Sequence, residues 1–273
     1  MLVHPQFDPV ALSLGPLQIH WYGLTYLAAF GLFLFLAARR VRLPHFAAAG
    51  WARRDVEDML FLGVLGVIVG GRIGYALFYK PAEYLADPLQ ILMVWKGGMS
   101  FHGGFAGCVL AVVLFGLKNR VPILSLGDVT CAVGPIGLLL GRIANFINGE
   151  LWGRAADPNS VPWAMVFPTG GPLPRHPSQL YEAALEGVVL FLVMQFMARG
   201  ARDPAAAGRL GGTFLLGYGL CRAFVELFRE PDAHLGLLFG FITMGQLLSL
   251  PMIVLGLALI IWSWRRGGRQ ALP

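Results

Sequence analysis

Three arginines and three glutamates lie inside apolar stretches of this chain. Arg72, Arg142 and Arg222, with Glu182, Glu186 and Glu226, each fall in a run long enough to cross a bilayer. A charge at that depth costs a few kcal/mol or more, so it normally faces a partner or a polar cavity. Arg142 and Asn145 are three residues apart and share a helix face. A guanidinium can grip a phosphate through two parallel hydrogen bonds, and an amide can add a third. A structural ion pair with a glutamate of another span is the alternative use of the same charge. Just beyond, Asn148-Gly149 accepts the left-handed backbone that ends a helix. The stretch from Gly141 to Gly153 therefore reads as an anion-binding floor just below a membrane surface.

Other side chains belong to the same chemistry. His102 sits in Gly97-Gly98-Met99-Ser100-Phe101-His102-Gly103-Gly104, with room around its ring. Imidazole suits proton transfer near neutral pH, although a hydrogen bond to a neighbouring helix would use it equally well. Tyr218, Arg222, Glu226 and Arg229 fall on one helical stripe roughly 80° wide. Arg222 and Glu226 can pair at their four-residue spacing. Glu182 and Glu186 form another stripe, just after His176-Pro177-Ser178-Gln179-Leu180-Tyr181. Arg72 is expected to need one of these carboxylates. The sequence has no His-Glu-x-x-His, no Gly-x-Ser-x-Gly, no phosphate-loop glycines and no zinc-ligand spacing. Covalent serine chemistry and metal hydrolysis are thus unsupported, and no metal or cofactor is expected.

The elements that must position these groups are membrane spans. Only 13% of the 273 residues are charged, and mean hydropathy is +0.65; soluble domains carry about 25% charged residues. Seven runs are long enough to cross: Leu17–Leu36, Met59–Tyr79, Gly98–Leu117, Leu126–Ile147, Gln179–Met197, Leu210–Phe228 and Leu247–Trp264. No basic residue precedes the first run, so a retained helix is expected there rather than a cleavable signal peptide. Thirteen basic residues, Arg202 among them, fall on one side of these runs, against five on the other. That bias predicts a cytoplasmic C-terminus and an outer N-terminus. Anionic lipid headgroups account for the basic face without nucleic acid. With this orientation Tyr22, Arg72, His102, Arg142, Glu182 and Arg222 all collect in the outer half. The competing reading, a flippase or anion transporter, predicts polar groups through the full depth and an internal repeat. Neither is seen.

Packing marks complete the pattern. Gly66, Gly70 and Gly74, Gly103 and Gly107, and Gly137 and Gly141 repeat at four-residue spacing, which lets helix backbones approach. Cys108, Cys131 and Cys221 are scattered in apolar runs and read as small packing residues. Residues 80–97 are too short to span and read as an outer interfacial arm. Residues 148–178 read as a small outer cap. No domain boundary is visible, so residues 1–273 are expected to form one membrane domain of all-α, polytopic architecture.

These motifs resemble those of the bacterial prolipoprotein diacylglyceryl transferase family. The resemblance rests on Gly141-Arg142-Ile143-Ala144-Asn145-Phe146-Ile147-Asn148-Gly149-Glu150-Leu151-Trp152-Gly153 first of all. It extends to His20-Trp21-Tyr22-Gly23, Gly70-Gly71-Arg72-Ile73-Gly74-Tyr75, the His102 segment, Arg175-His176-Pro177-Ser178-Gln179-Leu180-Tyr181-Glu182, and Gly217-Tyr218-Gly219 with Arg222. It implies transfer of the diacylglyceryl group of phosphatidylglycerol to the thiol of a lipobox cysteine in a prolipoprotein signal peptide. The products would be a thioether and glycerol phosphate, in the first step of lipoprotein maturation at the bacterial cytoplasmic membrane. By the same resemblance His102 is a candidate base, and Arg142 and Arg222 would hold the phosphate. Tyr22, Asn145, Glu150, Gly153, Tyr218 and Glu226 would shape the headgroup site, and Arg72, Asn148, His176 and Glu182 join the expected substrate-binding set.

Overall fold

Glycine decides how closely the first large helix pair can pack. In the computed structural model, α1 (Trp21–Arg40) and α2 (Pro44–Ala48) precede α3 (Arg53–Phe78). A short α4 (Pro81–Ala86) leads through two tight turns, Pro88–Leu92 and Val94–Lys96, to α5 (Phe101–Asn119). A Cβ on Gly66, Gly70 or Gly74 would run into the α5 backbone at Gly107 or Gly103, and the converse holds for Gly103 and Gly107. The expected close approach is real for these five glycines. It is not for Gly137 and Gly141, where an added Cβ would meet nothing within 4 Å. Gly70→Ala should cost about 1–3 kcal/mol, the usual range for forcing extra carbon into a packed contact. A lowered unfolding midpoint in detergent would show it, with Gly141→Ala near wild type.

The structure describes residues 2–15, 17–48, 50–200, 207–231, 238 and 240–270. Arg202, part of the basic bias, lies outside them. The chain divides into two compact units, residues 37–126 and residues 1–36 with 127–273. The first holds the α3–α5 pair and the arm. There Trp51 donates its indole N–H to Ser125 at 2.7 Å.

The second unit holds the remaining span helices. α6 (Ile123–Val133) runs into it and meets α7 (Pro135–Ile147) at a 43° bend. Pro135 has no N–H for the preceding turn, which is why an apolar run expected to be one straight helix is broken at Gly134-Pro135. α8 (Ser178–Glu182), a π-helical stretch Ala183–Val189 and α9 (Leu190–Gly200) form one continuous span over Ser178–Arg199. α10 (Arg209–Val225) and α11 (Met244–Gln270) follow and pack on each other through Gly212, Gly219 and Gly256. A buried cluster of Ala132, Leu190, Met194, Ala198 and Leu210 forms the core, with Cys131, Phe214 and Tyr218 against it. Asp128 of α6 accepts the backbone N–H groups of Gly208 and Gly211 at 2.8 Å each, capping the start of α10.

Among the described residues, five helices could cross a membrane by length and composition: α1, α3, α5, the 178–199 span and α11, with α6 and α7 together making a sixth. The seventh expected run is α10, whose 17 residues reach about 26 Å, just short of a hydrocarbon core of about 30 Å. Exposed Phe61, Phe105, Phe196, Leu220 and Val254 give these helices apolar outer faces suited to lipid.

The all-α expectation needs correction. Leu17–His20, read as the start of the first span, is instead β3, paired antiparallel with β2 (Val10–Leu14). A second small sheet joins β1 (Leu2–Val3), β4 (Met165–Val166) and β5 (Pro174–Arg175) in the order β1-β4-β5. Alternating Leu17-Gln18-Ile19-His20 fits a half-buried strand as well as a helix end.

Candidate active site

Glu182 is the hub of a buried charge cluster in the larger unit. Its carboxylate is fully buried and lies 2.9 Å from Arg142 Nε, 2.5 Å from Arg222 Nη1 and 3.1 Å from Arg229 Nη1. Arg222 also pairs with Glu226 through Nη2, one helical turn on. Glu186 stands further back, with oxygens 3.6 Å from Arg142 Nη2 and 4.0 Å from Arg222 Nη1. Glu182 and Glu186 both reach the cluster across the α8–π junction. A π-helical segment inside an α-helix is rare and often marks a functional site. Gly245 leaves room beside Glu226, since a Cβ there would overlap its carboxylate.

Three guanidiniums thus face three carboxylates. This is the balance expected from the sequence, with one substitution: the third cation is Arg229 and not Arg72. Arg229 was legible as a member of the Tyr218–Arg222–Glu226 stripe, but its place after the sixth run made it look like a loop charge. The helix end turns at 226–229 and keeps it facing inward, with Arg154 Nε donating to its carbonyl at 2.9 Å.

Arg72 belongs to the other unit and does a different job. Its five N–H groups are all taken by backbone carbonyls of the arm: Nε by Ile91, Nη1 by Gly97 and Gly98, Nη2 by Gln90 and Met93. The expected carboxylate partner is absent from this set, and no N–H is left for a phosphate. Arg72 thus fastens residues 90–98 to α3. Gly97 and Gly98 have φ of +75° and +81°, which turns both carbonyls towards Nη1. Arg72→Lys keeps a charge but only three donors. Faster proteolytic nicking between residues 80 and 97 should report the loosened arm, with the helices still inserted.

The floor that follows Arg142 is a tied turn. Asn145 donates to Glu150 Oε1 at 2.8 Å, and Asn148 lies 3.5 Å from the same oxygen. Gly149 (φ +64°) and Leu151 (φ +59°) both take left-handed backbone, which is uncommon for leucine. Gln179 and Ser178, at the start of α8, donate to the carbonyls of Glu150 and Leu151 at 2.6 and 3.0 Å. Gly153 offers no side chain; it is wedged between the backbones of His176 and Phe228, where a Cβ would not fit. Arg175 lies over the Trp152 ring at 4.0 Å and pairs with Glu230 at 3.1 Å. This ties the cap to the end of α10.

Tyr22 and Tyr218 lie close enough to Arg142 to feel its charge, and Tyr22 senses Glu150 as well. Tyr22 also shares a 3.3 Å hydrogen bond with Tyr26. His176 belongs to a chain in which Trp163 donates to Tyr181 Oη at 2.6 Å, and that hydroxyl lies 3.0 Å from His176 Nδ1. Burial pushes the His176 pKa below the usual imidazole range, which favours the neutral ring. His102 stands exposed in the first turn of α5, behind an N-cap in which Ser100 Oγ accepts the Gly103 N–H. It lies in the unit that also holds Arg72.

Within the larger unit, the structure therefore brings together Tyr22, Arg142, Asn145, Glu150, Glu182, Tyr218, Arg222 and Glu226, and adds Arg229 and Glu186. Arg142 and Arg222 keep 18% and 15% of their side chains exposed, and Arg142 Nη1 and Arg222 Nε have no partner among the described residues. Such donors, fixed in place in a poorly solvated site, can bind an oxyanion and stabilise charge that develops on it.

Fold and site together define a polytopic membrane protein with a buried cluster of three arginines and three glutamates. The model of the family described as prolipoprotein diacylglyceryl transferase matches residues 9–262. Among curated relatives, the phosphatidylglycerol–prolipoprotein diacylglyceryl transferase of Methylibium petroleiphilum is 59% identical, over 97% of this chain and 100% of its own length. Proteins of the same name from Cupriavidus necator and Paraburkholderia xenovorans are 57% and 51% identical. These alignments cover 97% and 99% of this chain, and 96% and 97% of the relatives. The chain belongs to the prolipoprotein diacylglyceryl transferase family.

Proposed function

We propose that Arg142 and Arg222 hold the phosphate of phosphatidylglycerol while the chain transfers its diacylglyceryl group. The chain is a transferase. It moves the diacylglyceryl group of phosphatidylglycerol to the cysteine thiol of a prolipoprotein, an early step of lipoprotein maturation. The observation that carries the residue assignment is the pair of partly exposed guanidiniums with donors to spare, fixed from behind by Glu182. In the transfer, the lipobox sulfur bonds to the glyceryl carbon as the carbon–oxygen bond to phosphate breaks. The electron pair leaves with glycerol phosphate, and the arginines stabilise the growing charge. His102 accepts the thiol proton in this reading. Tyr22, Asn145, Glu150, Tyr218 and Glu226 shape the headgroup site. The reaction draws on no cofactor or metal, because the anion stabilisation it needs is supplied by arginine.

The same reading places α10 as a seventh crossing, the N-terminus outside and the C-terminus in the cytoplasm. The site then faces the outer leaflet of the bacterial cytoplasmic membrane. Donor lipid and signal helix enter sideways from that leaflet, within one membrane domain. Purified protein incubated with phosphatidylglycerol and a lipobox peptide should yield the thioether. Headgroup translocation without product would overturn the reading in favour of a flippase. His102→Gln should slow transfer and flatten the limb of the rate–pH profile that reports the base. An unchanged profile would remove His102 from that role.

A further inference from the structure

Glu186 is the carboxylate of the cluster that its surroundings hold least well. Its side chain is fully buried, and neither oxygen makes a hydrogen bond among the described residues. Its nearest cations stand at 3.6 and 4.0 Å. Glu182 and Glu226, by contrast, are in close contact with guanidiniums. The groups that act on Glu186 are Arg142 from α7, Glu182 from its own span, and Arg222, Tyr218 and Cys221 from α10. With its three cations and three carboxylates all ionised, the cluster is electrically neutral.

Resting on the phosphate reading above, we propose that Glu186 takes up one proton when the phosphate ester of the donor lipid enters the cluster. A phosphodiester brings one negative charge into a site that water barely screens. Uncompensated charge in such a place is expensive, and the group in the weakest setting is the one that changes its protonation. Protonating Glu186 restores neutrality with a proton from solvent. It also frees Arg142 Nη2 from its weaker attraction, so that it can turn to a phosphate oxygen beside the spare donors Arg142 Nη1 and Arg222 Nε, while Arg222 Nη1 stays on Glu182. The proton and the lipid are then linked ligands. Because the bound state carries one more proton, affinity for phosphatidylglycerol falls about tenfold per pH unit once Glu186 is ionised in the empty protein, and is flat at lower pH.

The test is calorimetric titration of the full-length protein in detergent with short-chain phosphatidylglycerol. It is run at alkaline pH in two buffers that differ in ionisation heat. Wild type should absorb about one proton per lipid bound, and diacylglycerol, which lacks the phosphate, should cause no uptake. Glu186→Gln should bind the lipid with no uptake and with a pH-independent affinity. Because that variant could fold poorly, infrared difference spectra of the wild type give a second readout. Lipid addition should raise the carbonyl band of a protonated carboxylic acid. Lipid binding without proton uptake or without that band in wild type, or undiminished uptake in Glu186→Gln, overturns the proposal and leaves the phosphate site standing. Failure of wild type to bind phosphatidylglycerol at all overturns the phosphate site and the proposal with it.

Discussion

Arg142→Ala should lower diacylglyceryl transfer by at least about 10³-fold while the protein still inserts and folds. Removing a single oxyanion donor typically costs about 10²–10³ in turnover. Here the loss is compounded, because Arg142 is also the cation nearest Glu182 Oε2 and Glu186 Oε2. Without it, two buried carboxylates face two guanidiniums where they had faced three, alongside Glu226. The remaining field repels a phosphate. Arg142→Lys separates the two contributions. An ammonium keeps the charge that steadies Glu182 but loses the planar fork. Its unfolding midpoint should stay near wild type, and its transfer rate should stay well below. The assay is thioether formation from phosphatidylglycerol and a lipobox peptide, with thermal unfolding on the same preparations. Wild-type rates in Arg142→Ala would remove the phosphate role.

Glu182→Gln should have the largest effect on stability. This carboxylate is fully buried and contacts three arginines, with Arg142 at 2.9 Å and Arg229 at 3.1 Å. Glutamine keeps the shape but removes the charge, and its amide N–H₂ points donors at donors. Breaking a buried ion pair costs about 3–5 kcal/mol, because the surviving charge is left uncompensated. Here several pairs break at once. A marked drop in unfolding midpoint is expected, larger than that of Glu226→Gln, whose close partner is Arg222. Equal midpoints for the two variants would show that Glu182 is not the hub.

Much of this site could be read before any coordinates. The energetic penalty for a buried charge singles out Arg142, Arg222 and the glutamates, whatever surrounds them. That argument names which residues need partners and not which partners they find. Arg72 shows the limit. Its five acceptors are main-chain carbonyls, which every residue carries, so no side-chain pattern marks residues 90–98 as their source. Arg229 is obscured for the opposite reason: it follows the end of the sixth run, where charges count as loop residues, and only the inward turn of the α10 end reveals its contact with Glu182. Glu186 was visible as one turn beyond Glu182, but its lack of hydrogen bonds depends on positions that spacing cannot supply. In the fold, hydropathy locates apolar stretches well. It cannot distinguish the strand Leu17–His20 from a helix end, nor see that Pro135 divides one stretch in two.

That division sets the address of a buried cation. Arg142 stands seven residues beyond Pro135, or about 10 Å along the helix axis. Swung through 43°, a lever of that length carries the backbone of Arg142 roughly 7 Å sideways from where an unbroken rod would leave it. An imino acid with no chemistry of its own thereby decides whether this cation meets the glutamates of the next span or points past them.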